Sequence, residues 1–166
     1  MAEDLGLAEV FERYAGTVYR LAFSRTKSRA DADDLLQEVF LRYTRAAPEF
    51  AEEEHRKAWL IRVTLRCCAS LMSSVWMRRT VPLEQAALVP ADLETDHSDV
   101  YQAVMQLPAK YRTAVHLYYY EGYTIPQIAT LCGMAEATVK THLRRARERL
   151  RKKLTLLEGE GNEQQF

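Results

Sequence analysis

Residues 124–143, TIPQIATLCGMAEATVKTHL, leave the chain little choice of local structure. Thr124 followed by Gln127 has the form of a capping box, in which hydroxyl and side-chain amide satisfy backbone donors of a helix's first turn. Pro126 falls inside that turn, where an amide hydrogen has no partner to lose. Gly133 then offers a residue that takes a positive φ and ends the helix. Counting Ile125 as one, Ala129 is fifth, Gly133 ninth and Val139 fifteenth. A small residue where two helices touch, a flexible one at the turn and a β-branched one to pack the second helix suit a helix-turn-helix.

The second of these helices is cationic. Residues 138–154, TVKTHLRRARERLRKKL, hold eight Lys or Arg and one acid, Glu148, although the chain carries 23 bases and 23 acids in all. At about 100° per residue, Val139, Leu143, Ala146, Leu150 and Leu154 form one narrow inward stripe. Lys140, Arg144, Arg147 and Arg151 flank it on one side, with Arg145, Arg149 and Lys152 on the other. Bases on both shoulders suit a helix lying in a groove between phosphate walls, whereas an ordinary solvated helix alternates its signs. Residues 81–105 hold five acids and no base, so the balancing acids lie in another part of the chain.

The N-terminal half is helical by the same periodicity. Leu7, Val10, Phe11, Tyr14, Val18 and Leu21 make one stripe on a helix over 5–24. A second helix starts near Ser28 or Asp31 and turns Leu35, Val39 and Tyr43 inward. Pro48 breaks the pattern, and 47–57 reads as a loop before a third helix, AWLIRVTLRCCASLMSSVWMRR. Residues 80–97, with two prolines and clustered acids, read as a flexible linker. Two short helices, one stopped by Pro108 and one near Gly122, precede the helix-turn-helix. The polar residues 158–166 read as a disordered tail. The expected fold is therefore all-α: two small helical domains, 1–79 and 98–157, joined by an acidic linker.

The acidic edge of the second helix (Asp31, Asp34, Glu38), beside Leu35, Phe40 and Leu41, is repelled by DNA and suits a basic protein surface. The next stretch puts Phe50, His55, Arg56, Lys57, Trp59, Arg62 and Arg66 together, with Trp76, Arg78 and Arg79 further on. Rings among cations are the makings of single-strand recognition. No apolar run is long enough to cross a bilayer, and the acidic, amphipathic start is unlike a secretory signal. Three cysteines without a CxxC pair argue against a disulfide scaffold or a zinc site and for a reducing, cytoplasmic setting. No metal or cofactor is expected.

DADDLLQEVFLRY, AWLIRV, the acidic linker and LPAKYRTAVHLYYYEGYTIPQIATLCGMAEATVKTHLRRARERL, in this order, resemble the extracytoplasmic-function (ECF) sigma factors of bacteria. The resemblance spans about residues 7–154. It implies a promoter-specificity subunit that joins core RNA polymerase, reads the −35 element as duplex and the −10 element as single strand, and helps open the DNA. Asp31, Asp34, Leu35, Gln37, Glu38 and Phe40 match polymerase-docking positions. Phe50, His55, Arg56, Lys57, Trp59, Arg62 and Arg66 match the −10 region. Thr138, Lys140, Thr141, Arg144 and Arg145 match the −35 reading face, with Arg147 and Arg149 as phosphate anchors. An anti-sigma partner is implied by analogy.

The chain departs from that pattern at Arg66 and Ser70, where the family commonly has Asn and Asp. It departs again at Ala135 and Ala137, where a capping Ser or Pro and a Gly are usual. A free-standing duplex-binding regulator would use the same helix-turn-helix but has no need of the acidic helix. An enzyme finds no support, since HExxH, GxSxG and a Gly-rich phosphate loop are absent and His55, His97, His116 and His142 are scattered.

Overall fold

A computed structural model describes residues 4–75 and 98–163. The expected linker at 80–97, and Trp76, Arg78 and Arg79, lie outside the described residues. The chain divides into two compact units, Met1–Leu93 and Glu94–Phe166. Every regular element among the described residues is helical.

The N-terminal unit is built from α1 (Leu7–Thr26), α2 (Arg29–Ala46) and α3 (Glu53–Val75). Lys27, at φ 55°, ends α1 by donating its amide to the Phe23 carbonyl. One residue later Ser28 caps α2, its hydroxyl accepting from the Asp31 amide at 3.1 Å. The stripe expected on α1 is real at Val10, Tyr14, Val18 and Leu21, which are buried, while Leu7 and Phe11 stay about half exposed. Val10, Tyr14 and Val18 pack with Leu35, Leu36 and Val39 of α2 and Leu60, Val63, Cys67 and Cys68 of α3. Each fully buried aliphatic side chain contributes about 1.5–3 kcal/mol.

α3 begins at Glu53, five residues ahead of Ala58, where the apolar pattern begins. Glu53 and Glu54 in its first turn complement the positive end of the helix dipole, and the His55 amide donates to the Glu52 carbonyl at 3.1 Å. His55, Arg56 and Lys57 therefore stand on the first turns of a helix and not on the preceding loop.

The C-terminal unit contains α4 (Asp99–Met105), α5 (Ala109–Val115), a π-helical turn at His116–Tyr120, α6 (Ile125–Cys132) and α7 (Glu136–Glu163). Ser98 caps α4 by accepting from the Tyr101 amide. Arg112, 4 % exposed, ties the α4–α5 corner by donating to the carbonyls of Leu107 and Met105. The capping box is present in both directions: the Thr124 amide donates to Gln127 Oε1 and the Gln127 amide to Thr124 Oγ1. Gly133 takes φ 65° at the turn between α6 and α7. Ala129 and Val139 are buried as their spacing requires, with Ile128, Leu143 and Ala146 beside them.

Two details differ from the sequence reading. Leu150 and Leu154 are only half-buried, because α7 outruns the short helices that cover its first turns. The helix also continues to Glu163, six residues into the stretch expected to be a tail. Extending an existing helix costs far less than nucleating one, so even Gly159 and Gly161 do not stop it.

Candidate nucleic-acid and protein interfaces

On α7 the inward stripe turns Thr138, Lys140, Arg144, Arg145, Arg147 and Arg149 to the surface, all of them exposed, with Thr141 half-buried. No carboxylate pairs with any of these cations among the described residues. Thr141 donates its hydroxyl to the Ala137 carbonyl at 3.0 Å, and Arg147 Nε donates to the Leu143 carbonyl at 3.2 Å. Both contacts keep these side chains close to their own helix.

The two shoulders of α7 differ in a way the helical wheel did not show. Arg145 Nη1 donates to the Tyr111 hydroxyl at 3.5 Å, and the Arg149 guanidinium lies 5.3 Å from the centre of the Tyr111 ring. Lys110 Nζ lies 5.2 Å from the same ring, and His142 meets it edge-on at 5.4 Å. The Arg145 hydrogen bond, helped by the charges of Lys110 and Arg149, holds the Tyr111 phenol below its ordinary pKa. Burial, followed by Lys110 and Arg145, lowers that of His142. Lys110 and Tyr111 were absent from the sequence-derived set, because their link to α7 spans more than thirty positions and carries no local signature.

In the N-terminal unit the residues singled out for single-strand contact divide by exposure. His55 and Arg66 are exposed; Phe50, Lys57, Trp59 and Arg62 are half-buried; Arg56 is only 5 % exposed. Arg56 Nη1 pairs with Glu53 Oε2, and its guanidinium lies 5.4 Å from the Phe50 ring centre. Glu53 also accepts from the Tyr14 hydroxyl and sits 3.5 Å from Arg13 Nη1. Burial would raise the Glu53 carboxyl, but the hydrogen bonds from Tyr14 and Arg56 and the charge of Arg13 hold it below the ordinary range. Tyr14 is pushed up to about 12, first by burial and then by Glu53. Arg56 is thus an internal brace for the loop that carries Phe50, buried where the sequence suggested an outward cation. A buried cation needs a carboxylate partner, and Glu53 is within one turn.

Trp59 belongs to a run of rings. Phe11 meets Phe40 at 5.0 Å, Phe40 meets Tyr43 at 6.5 Å, Tyr43 meets Trp59 at 5.6 Å and Trp59 meets Phe50 at 6.4 Å. On α2, Leu35 and Phe40 are 5 and 6 % exposed and pack into the core, where they hold the helix in place. Asp34 and Gln37 are exposed, Asp31 and Glu38 are half-buried, and Glu38 is bonded to Arg42 at 2.9 Å. Leu41, half exposed, supplies the apolar part of that edge.

Residues 10–77 match the family described as Sigma-70 region 2, and residues 97–150 match Sigma-70, region 4. The ECF RNA polymerase sigma factor SigM of Mycobacterium tuberculosis is 34 % identical over 152 residues, covering 90 % of this chain and 77 % of that protein. The chain belongs to the ECF RNA polymerase sigma factors. RNA polymerase sigma factor SigV of Bacillus subtilis is 30 % identical over 82 % of this chain and 84 % of its own length. Among solved structures, the sigma factor RpoE of Bartonella quintana, in complex with the anti-sigma factor NepR, superposes with a TM-score of 0.68 at 25 % identity. That match covers 89 % of this chain and 96 % of that one.

As a sigma factor the chain carries a region-2 unit on α1–α3 and a region-4 unit on α4–α7. The region-4 helix-turn-helix presents unpaired cations, as a partner for promoter phosphates must. The region-2 unit presents an acidic edge on α2 and a braced aromatic surface where α3 begins. Among the described residues no group of His, Cys, Asp or Glu could hold a metal ion, and no helix is long and apolar enough to cross a membrane.

Proposed function

We propose that this sigma factor docks on core RNA polymerase through the acidic edge of α2, with Asp34 and Gln37 in contact and Glu38 held by Arg42. The aromatic surface where α3 begins receives the −10 element as single strand: Trp59 and Phe50 offer ring surface, and Arg62 and Arg66 hold the backbone. Region 4 reads the −35 element, with α7 in the major groove and Lys140 and Arg144 leading. The chain acts by positioning polymerase and has no catalytic step of its own. It works in the cytoplasm and is held inactive by an anti-sigma partner, as the complex of the Bartonella relative with NepR supports.

The observation that supports this reading is the contrast between the exposed bases of α7, which have no carboxylate partner among the described residues, and the α2 edge in the other unit, where Asp34 is exposed, Asp31 half-buried and Glu38 paired with Arg42. In vitro transcription with bacterial core polymerase on a library of promoter fragments tests it. Initiation that depends on the protein should select fragments sharing two spaced motifs. Asp34→Lys should abolish docking with the fold intact, and more severely than Glu38→Lys, since Glu38 is already neutralised by Arg42. Lys140→Ala or Arg144→Ala should weaken promoter binding and leave docking unchanged. If core polymerase ignores the protein while labelled duplex still binds it, a free-standing helix-turn-helix regulator is the better account.

A further inference from the structure

Tyr111 lies on the first turn of α5 and is itself 4 % exposed, yet three exposed cations gather on it. Arg145 holds its hydroxyl, Arg149 lies over its ring, and Lys110 lies against the ring from α5. None of the three has a carboxylate partner among the described residues. A chain that needed these cations only as surface charge would leave them to scatter, since converging like charges repel. Here an aromatic ring and its hydroxyl fix where two guanidiniums sit. An Arg resting on a ring keeps the N–H donors at its edge available for a planar, two-point contact with phosphate oxygens.

We propose that Lys110, Arg145 and Arg149, organised by Tyr111, form a clamp for a DNA backbone phosphate beside the −35 element. It rests on the reading of α7 as the −35 helix and adds α5 to the DNA-contacting surface. On the helical wheel Arg145 and Arg149 lie across α7 from Lys140 and Arg147, so the clamp closes on the wall of the groove opposite to those two residues. It sets register and carries no sequence information, because its donors meet oxygens that every base pair shares. Tyr111 and His142 are positioning residues: they aim the cations and touch no DNA.

The test is a salt titration of the full chain against two labelled duplexes, one with the upstream half of a responsive promoter and one with that half scrambled. Between about 0.05 and 0.2 M salt, the logarithm of affinity falls linearly with that of salt, with a slope set by the number of phosphates neutralised. Lys110→Ala should weaken both duplexes by the same factor, up to about tenfold near 0.1 M salt, and reduce the slope by about one. Lys110→Arg should restore the slope. Lys140→Ala serves as the control for the underlying reading. If Lys140→Ala weakens binding while Lys110→Ala changes neither affinity nor slope, the clamp is wrong and the −35 assignment stands. If Lys110→Ala weakens only the promoter duplex, the residue reads bases and the clamp is again wrong. Loss of polymerase or anti-sigma binding with no change on DNA would assign the cluster to an acidic protein surface instead. A wild-type chain that binds neither duplex would overturn both readings together.

Discussion

In the region-2 unit Glu53 gathers a hydroxyl and two guanidiniums from α1 and α3, whereas in the region-4 unit Tyr111 gathers three cations and no acid. The first cluster is closed: its charges answer one another, and what it offers outward is a shaped surface of rings. The second is open, and its charge is answered only by something that arrives. The contrast teaches that a count of basic residues does not locate a nucleic-acid contact. Arg56 and Arg149 are both arginines beside an aromatic ring, and only the one without a carboxylate is available to phosphate.

The strongest way to break the comparison is to collapse one side of it. Leu60 and Leu143, each 0 % exposed, anchor the cores of the two units. Leu60→Ala or Leu143→Ala should destabilise its own unit by about 2–5 kcal/mol. Hydrogen exchange resolved by helix would show the loosening in α1–α3 for the first and in α4–α7 for the second. Equal loosening of both units by either change would remove the division on which the contrast depends.

A smaller effect sharpens the closed cluster. Glu53→Gln leaves Arg56 and Tyr14 without their carboxylate and should cost about 1–2 kcal/mol, allowing for the third of Glu53 that water still reaches. Because the folded Glu53 carboxyl lies below its unfolded value, its contribution is fully present above about pH 4.3. It fades as pH falls through the lowered folded value. Tyr14 acts at the other end of the scale. With the folded phenol raised to about 12, its contribution is full below about pH 10 and is lost as pH rises towards 12. Denaturant melts across pH should show both losses in the wild type and only a weakened alkaline loss in Glu53→Gln. An unchanged acid limb in that variant would mean that Glu53 is not the centre of the cluster.

The smallest effect concerns the helix on which the open cluster stands. Ala135 precedes α7 and accepts the Thr138 and Val139 amides on its carbonyl, but its side chain has no oxygen to offer. Ala135→Ser should supply that acceptor and stabilise the region-4 unit by about 1 kcal/mol. The gain should appear as a later thermal transition, with duplex affinity and salt slope unchanged. A gain in affinity would show that the start of α7 is loose in the free protein.

Features built from neighbours in sequence were legible in advance. The capping box joins Thr124 to Gln127, the left-handed turn belongs to Gly133 alone, and the Val139–Leu143–Ala146 stripe repeats within one helix. Those that join distant segments were not. Arg56 looked like an outward base until Tyr14, some forty residues earlier, was seen to complete the carboxylate's ring of donors. Leu35 and Phe40 shared a stretch with exposed acids, and the stretch alone could not say that they sit under the helix while Asp34 and Gln37 ride above it. The early start of α3 was hidden because Glu52–Glu54 read as a polar loop, although acids suit a first turn equally well. The family resemblance supplied the order of the units, but the division of α7 into one shoulder that keeps to its own helix and one folded onto α5 depends on contacts between segments more than thirty residues apart.

The three cysteines have a practical consequence. Burial pushes the Cys68 thiol up to about 12 and raises that of Cys67, so neither offers much thiolate at neutral pH. Cys132, half-buried on α6, sits one position before the Gly133 turn. The native chain therefore comes with a single convenient attachment point for a fluorophore or spin label, at the elbow of the DNA-reading motif. A dye placed there would watch region 4 engage a promoter in real time, without engineering a single residue away.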